Sequence, residues 1–312
     1  MAANAALWRL TARNADIIVP LGGQGGGCPF YCVHSISGEV NSFHCLAKEV
    51  GQDRRIYGFQ VPAHRMTSEF GNSVESIAEH YVELLLAREP RTKFFLSGWS
   101  AGSFIALEMA QILRRRGRET PLLIALDGFQ FKTRVASEQP NYLSNLLRNV
   151  PHWLEDTLAT DRKRGLIQRV QKRMRRAIAL SPSSKRTSER LSTVERLLET
   201  SAWPEAQTAF VRSLFDIVEK YEAKPYHGPL LVFAAKAQHF FRAGQVEFTW
   251  KRISKSAEVI RTDGSHVTML QEPRVANLAK SLRERLAAFD QRVQHAELPP
   301  TLENAAGAGI QT

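Results

Sequence analysis

The stretch from Lys93 to Ala110, KFFLSGWSAGSFIALEMA, constrains this chain more than any other. Phe94, Phe95 and Leu96 form a short continuous apolar run, the pattern of a strand buried on both faces in a parallel sheet. From Ser103 onward, Ile105, Ala106, Met109, Ala110 and Leu113 recur at helical spacing, and Gly117 stands where such a helix stops. Between strand and helix lies G-x-S-x-G. Gly98 and Gly102 lack side chains, so the chain can reverse sharply while strand and helix pack closely. Ser100 is then left at the tip of a strained turn, placed as a nucleophile. A chance G-x-S-x-G turns up in about one chain in ten of this size. The flanking strand and helix therefore carry the inference.

The rest of the chain repeats the same alternation. Apolar runs predict strands at Pro29–Val33, Ile56–Phe59, Phe94–Ser97, Leu122–Leu126, Leu230–Ala234 and Glu258–Ile260. Helical spacing predicts helices at Ser42–Val50, Val74–Ala87, Ser103–Arg116 and Arg274–Gln291. Strands alternating with helices predict an α/β fold, a mostly parallel central sheet flanked by helices. The stretch from about Gln130 to Lys224 breaks the pattern: it is charged and helical, with no strand-like run. A helical insertion of that size between two strands can cover the mouth of the sheet as a lid. The expected organisation is a linker over 1–18, one domain over 19–292 and a disordered tail over 293–312, rich in small and polar residues.

A serine hydroxyl needs a base to take its proton, and the base needs an orienting carboxylate. In an open parallel sheet these groups belong just beyond the carboxyl ends of strands. Asp127 meets that demand, because PLLIALDGF is an apolar run ending in Asp-Gly one strand after the elbow. A turn-forming aspartate is the plainer reading of the same pair. Among nine histidines, His266 follows the last short strand and precedes the last helix in EVIRTDGSHVTML. The order Ser, Asp, His is one that this kind of elbow uses. The oxyanion requires two preorganised N–H donors. Ala101, directly after the nucleophile, supplies one; Ile36, in the loop VHSISGEV after the first strand, is chosen for the other. His34 in that loop either shapes it or supports the site from behind.

Net charge is +11, and it is unevenly placed. Asp161–Arg176 holds eight Lys or Arg against one Asp, while Leu166, Val170, Met174 and Ile178 repeat every fourth residue. This predicts an amphipathic helix with a cationic face. Such a face is either simply solvated or docks an acidic partner. Nucleic acid is not the expected partner, since aromatics are not interleaved with the basic run and no nucleic-acid motif is present. No apolar run reaches the roughly 18 residues of a membrane span. The first residues lack the order of a signal peptide. Cys28, Cys32 and Cys45 suit neither a disulfide framework nor a metal site. Reduced thiols and a cytoplasmic location are expected.

Taken as consecutive blocks, FYCVHSISGEVNSFHCLAKEVG, IYGFQVP, GWSAGSFIALEMA, LLIALDG, EKYEAKPYHGPLLVFAA and DGSHVTMLQEPRVANLAKSLRERL resemble the thioesterase domains of nonribosomal peptide and polyketide synthases. These belong to the α/β-hydrolase superfamily. The likeness covers about Val19 to Leu286 and is weakest across the insertion. By position it implies Ser100 as nucleophile, Asp127 as acid and His266 as base. The family places its acid after the strand that follows the elbow. This chain agrees, its later loop offering only Glu247. Two departures bear on the acyl pocket: Ser103 stands where glycine is common, and QVPAHR replaces a glycine-containing turn.

The resemblance further implies the substrate: an acyl or peptidyl chain held as a thioester on the phosphopantetheine arm of a carrier protein, with no cofactor or metal of the enzyme's own. Release is by hydrolysis or cyclisation. Carrier proteins are usually acidic, which would give Arg169, Lys172 and Arg173 a docking role. The chain is expected to be free-standing or one module separated from its assembly line. An esterase or acyltransferase on the same fold is the nearest rival. A basic nucleic-acid-binding protein or an inactive scaffold are the rivals outside enzymology.

Overall fold

The computed structural model describes residues 16–61, 71–118, 120–130, 142–159, 171, 203–238 and 242–297. Seven strands form one sheet: β1 (Ile18–Gly22), β2 (Gly27–Val33), β3 (Arg54–Phe59), β4 (Phe95–Trp99), β5 (Leu123–Leu126), β6 (Leu230–Ala237) and β7 (Glu258–Ser265). Their order is β1-β3-β2-β4-β5-β6-β7. Only β1 runs antiparallel, against β3; every other pairing is parallel. Helices among the described residues include α1 (His44–Val50), α2 (Val74–Arg88), α3 (Gly102–Arg115), α4 (Tyr142–Ala159), α5 (Glu205–Lys220), α6 (Gln245–Ile253) and α7 (Val275–Glu297).

Period-two alternation splits each central strand between two cores. Tyr31, Val33, Leu96, Leu123, Ala125, Val232 and Ala234 face a layer containing α2, α3, α5 and α6. Phe30, Cys32, Phe95, Ile124, Leu126, Leu231 and Phe233 face the layer of α1 and α7. With both faces covered, the strands read as unbroken apolar runs. α3, which leaves the elbow, is buried from Gly102 to Leu113, so its start is fixed against the sheet.

Strand order sets where a site can form. From β2 the chain moves outward to β3, then returns to lay β4 on the other side of β2. The loops after β2 and β4 therefore diverge, opening a crevice at the carboxyl ends of the strands. β5 and β7 deliver their loops to the same edge.

Three elements differ from the sequence reading. The sheet begins at Ile18, with Ile17 and Ile18 buried in the core, inside the segment assigned to a linker. α6 lacked a long apolar stripe, yet Val246, Trp250 and Ile253 anchor it. α7 continues to Glu297, beyond the expected end of the domain; 298–312 lie outside the described residues. Between β5 and β6 the described residues contain α4 and α5 and no strand.

Candidate active site

Ser100 sits at the tip of β4 with a backbone φ of 59°. A side chain in this left-handed region costs on the order of 1–3 kcal/mol. The surroundings enforce it. Ser100 N–H donates to the Leu126 carbonyl (2.9 Å), and Ser103 N–H donates back to the Ser100 carbonyl (3.1 Å). A Cβ on Gly98 would run into the Gly102 carbonyl, and one on Gly102 into the carbonyls of His34 and Val33. Both motif glycines are thus demanded by close backbone approach. Ser103, the departure noted above, is buried and donates its hydroxyl to the Gly98 carbonyl (2.8 Å), bracing the elbow.

Asp127 also has a positive φ, 49°, at the end of β5. It is 3% exposed. Its N–H donates to the Phe233 carbonyl (2.8 Å), and its Oδ1 accepts from Ala235 N–H (2.8 Å), so β6 fixes the carboxylate from two sides. Trp250 of α6 donates its indole N–H to the Gly128 carbonyl (2.8 Å), steadying the next residue.

His266 follows β7. Its Nδ1 lies 2.8 Å from Asp127 Oδ2 and its Nε2 lies 3.0 Å from Ser100 Oγ. With the ring neutral, an Nδ1–H donates to the carboxylate, leaving Nε2 to accept from the hydroxyl. Trp99 stacks on the ring at 5.4 Å and donates its indole N–H to the His266 carbonyl (3.2 Å), while Phe129 meets it edge-on at 5.6 Å. The structure therefore brings Ser100, Asp127 and His266 into one hydrogen-bonded line. Glu247 instead pairs with Arg261 (2.7 Å).

The loop after β2 forms the opposite wall. Ile36 lies in a turn closed by Gly38 N–H donating to the Ser35 carbonyl (3.1 Å). Ala101 opens α3 with helical backbone angles. His34 is fully buried beneath this loop. Its Nδ1–H donates to the Ser35 carbonyl (2.6 Å) and its Nε2 accepts from Tyr81 of α2 (2.8 Å). Burial lowers its pKa to about 4, so the ring is neutral and its tautomer is set by these two partners.

The insertion helices cover both walls. From α5, Phe210 packs near His34, and Val211 and Phe215 pack with Ile36. α4 reaches the other wall by hydrogen bonds that sequence reading missed. Asn149 makes a two-way bond with the Gln238 backbone (2.9 and 3.1 Å), and Asp156 accepts from Thr268 Oγ1 (2.8 Å). Partners 89 and 112 residues apart leave no local signal. Arg169, Lys172 and Arg173 lie outside the described residues.

A seven-stranded, mostly parallel sheet with a serine elbow after its central strand defines the α/β-hydrolase fold. Residues 29–286 match the family described as "Thioesterase domain", and the chain belongs to that family. Similar proteins include the dimodular nonribosomal peptide synthase of Bacillus subtilis, 30% identical over 36% of this chain and 5% of that protein. Thioesterase pytI of Aspergillus terreus is 26% identical over 44% of this chain and 50% of its own length. The chain thus spans a small part of the synthase and half of the single thioesterase. Among solved structures, the NocB thioesterase domain in covalent complex with a fluorophosphonate nocardicin G analog has a TM-score of 0.58 at 18% identity, covering 86% of this chain and 99% of that one. The Vlm2 thioesterase domain bound with a dodecadepsipeptide has a TM-score of 0.54 at 18% identity, covering 87% and 98%. At that identity the two share the fold. Among the described residues no helix is long and apolar enough to cross a membrane.

Proposed function

We propose that this protein is a serine thioesterase that releases an acyl or peptidyl chain from the phosphopantetheine arm of a carrier protein. The supporting observation is the hydrogen-bonded line from Ser100 through His266 to Asp127, set on a strained elbow at the strand ends of a thioesterase-family chain.

Ser100 Oγ attacks the thioester carbonyl carbon while His266 Nε2 takes the hydroxyl proton. Asp127 holds the imidazole tautomer and stabilises the imidazolium that forms. The carbonyl oxygen becomes an oxyanion, for which the backbone N–H groups of Ala101 and Ile36 are the proposed donors. Collapse breaks the C–S bond and expels the pantetheine sulfur, which leaves as thiolate or takes the proton from His266. A thiol of pKa about 8.5 is a good leaving group. Acylation is therefore easier than breaking the oxygen ester left on Ser100. Water or a nucleophile on the acyl chain then attacks that ester, His266 Nε2 taking its proton and returning it to Ser100 Oγ as the acyl C–O bond breaks, giving a free acid or a ring and the free serine.

The chain needs no cofactor of its own in this scheme. The insertion between β5 and β6 serves as lid, and its cationic segment serves as the docking surface for the acidic carrier. Turnover of acyl-pantetheine thioesters against matched oxygen esters, each with and without an added amine or alcohol acceptor, tests the reading. Thioester hydrolysis or internal cyclisation should dominate. Preference for oxygen esters, or product formed only with the acceptor, would favour an esterase or an acyltransferase.

A further inference from the structure

α4 is held to the domain in an unusual way. Its outward face carries Leu143 and Leu147, each 72% exposed, with Leu154 and Leu158 also exposed. Its inward face carries Asn149, Trp153, Asp156 and Thr157, all buried. The greasier stripe points away from the sheet, so buried Trp153 and polar contacts, rather than that stripe, fix how the helix sits.

One of those contacts reaches the turn that bears His266. Asp156, 3% exposed, accepts from Thr268 Oγ1 (2.8 Å) and pairs with Arg274 Nη2 (3.1 Å) at the same oxygen, Oδ1. Thr268 Oγ1 in turn accepts from Ser265 N–H (2.9 Å) and lies 3.0 Å from Ser265 Oγ. A hydroxyl has one proton and two lone pairs. A carboxylate can only accept, so the Thr268 proton goes to Asp156 and its lone pairs face Ser265. The turn is closed further by Thr268 N–H and Met269 N–H, both donating to the Ser265 carbonyl (3.0 and 2.9 Å). There is little room for it to relax. A Cβ on Gly264, at φ 94°, would lie 2.6 Å from Arg274 Cδ and 2.9 Å from Thr268 Oγ1. His266 is the second residue of this turn.

We propose that Asp156 is a positioning residue for the reaction: through Thr268 and Ser265 it holds the His266 turn in the register that lines Nε2 up with Ser100. The inference rests on the triad reading above and adds a residue of the insertion to it. Alignment of the base then depends on α4 being docked, which couples closure over the site to the competence of the base. Without the carboxylate, the Thr268 proton turns to Ser265, and Ser265 N–H loses its acceptor geometry. Errors of about 1 Å at a base can cost on the order of 100-fold in rate.

The test uses a small acyl-pantetheine thioester, which does not require carrier docking. Thr268→Val is nearly isosteric and removes the hydroxyl; Asp156→Ala removes the carboxylate; Thr268→Ser restores the hydroxyl. The expected result is a fall in kcat of about tenfold or more for the first two, with KM within about twofold. Fluorophosphonate inactivation should slow in parallel. The double variant Asp156→Ala/Thr268→Val should be no slower than the slower single, since both act along one path. Thr268→Ser should stay within about twofold of the parent. A role in stability alone would lower Tm while leaving kcat per folded molecule and the inactivation rate unchanged. That outcome, or multiplicative losses in the double variant, overturns the inference. If Ser100→Ala and His266→Ala abolish turnover while the Asp156 and Thr268 variants match the parent, this inference alone fails. A Ser100→Ala protein of undiminished activity overturns both it and the triad reading.

Discussion

The indole of Trp99 lies stacked on the imidazole of His266, ring centres 5.4 Å apart, and its N–H donates to the carbonyl of that same histidine. The residue before Ser100 thus holds the imidazole both by face and by backbone. Trp99→Phe keeps the face and loses the hydrogen bond, so kcat/KM should fall by roughly three- to tenfold, a net neutral hydrogen bond being worth about 1 kcal/mol. Trp99→Leu loses both, and the fall should be larger. Steady-state kinetics on a small thioester checks the ranking; equal activity in all three proteins would contradict it.

In the proposed mechanism Asp127 contributes charge as well as geometry. Asp127→Asn preserves an oxygen for Ala235 N–H, so the fold should survive. The amide, however, favours the wrong imidazole tautomer and cannot offset the imidazolium. By analogy with serine hydrolases of the same logic, kcat should drop by about 10⁴-fold. Far-UV circular dichroism alongside kinetics separates this from unfolding, and a loss under tenfold would remove Asp127 from the mechanism.

Burial of His34 makes the protein acid-sensitive in a defined window. Its pKa, about 4 in the folded chain, lies below the ordinary 6.5. Between these values the unfolded chain binds the proton and the folded chain does not. Stability is therefore full above about pH 6.5 and falls as pH drops toward about 4. The loss reaches at most roughly 3 kcal/mol. Denaturant unfolding at stepped pH should show a shallower acid slope for His34→Gln than for the parent; identical slopes would rule His34 out as the cause.

The cationic segment offers a prediction that separates docking from chemistry. Reversing Arg169, Lys172 and Arg173 to Glu should raise KM for a carrier-bound substrate by about tenfold or more, if each charge contributes up to about 1 kcal/mol. A small thioester should be turned over as before. Equal loss on both substrates, or loss on neither, refutes a docking role.

How far the sequence could be read follows the range of each interaction. β4, β5 and β6 are buried on both faces, so their apolar runs mark them plainly. β1 went unread because Pro20 and the glycine run that begins at Gly22 resemble a loop, and it needs only one paired neighbour, β3. β7 extends past Ile260 because Asp263 pairs with Lys236 (2.6 Å) and Arg261 with Glu247 (2.7 Å), which lets charges occupy strand positions. The elbow was legible since its demands are local: two glycines and a serine within five residues. Asp127 and His266 were inferred from strand ends, which needed only topology. The ties from Asn149 to Gln238 and from Asp156 to Thr268 and Arg274 had no such rule behind them. An Asp or Thr in a polar helix or loop looks the same whether solvated or buried in a network. His34 fell between: its place in the loop was readable, its bond to Tyr81, 47 residues away, was not.

Covalent loading of Ser100 probes the proposed mechanism most directly. The intact protein would be exposed to an acyl-pantetheine thioester, quenched in acid within seconds and weighed, then digested to locate any adduct. An acyl mass increase confined to the peptide containing Ser100, and missing from Ser100→Ala, is expected. Steady turnover with no adduct on Ser100, or an adduct of equal yield in Ser100→Ala, would contradict the mechanism.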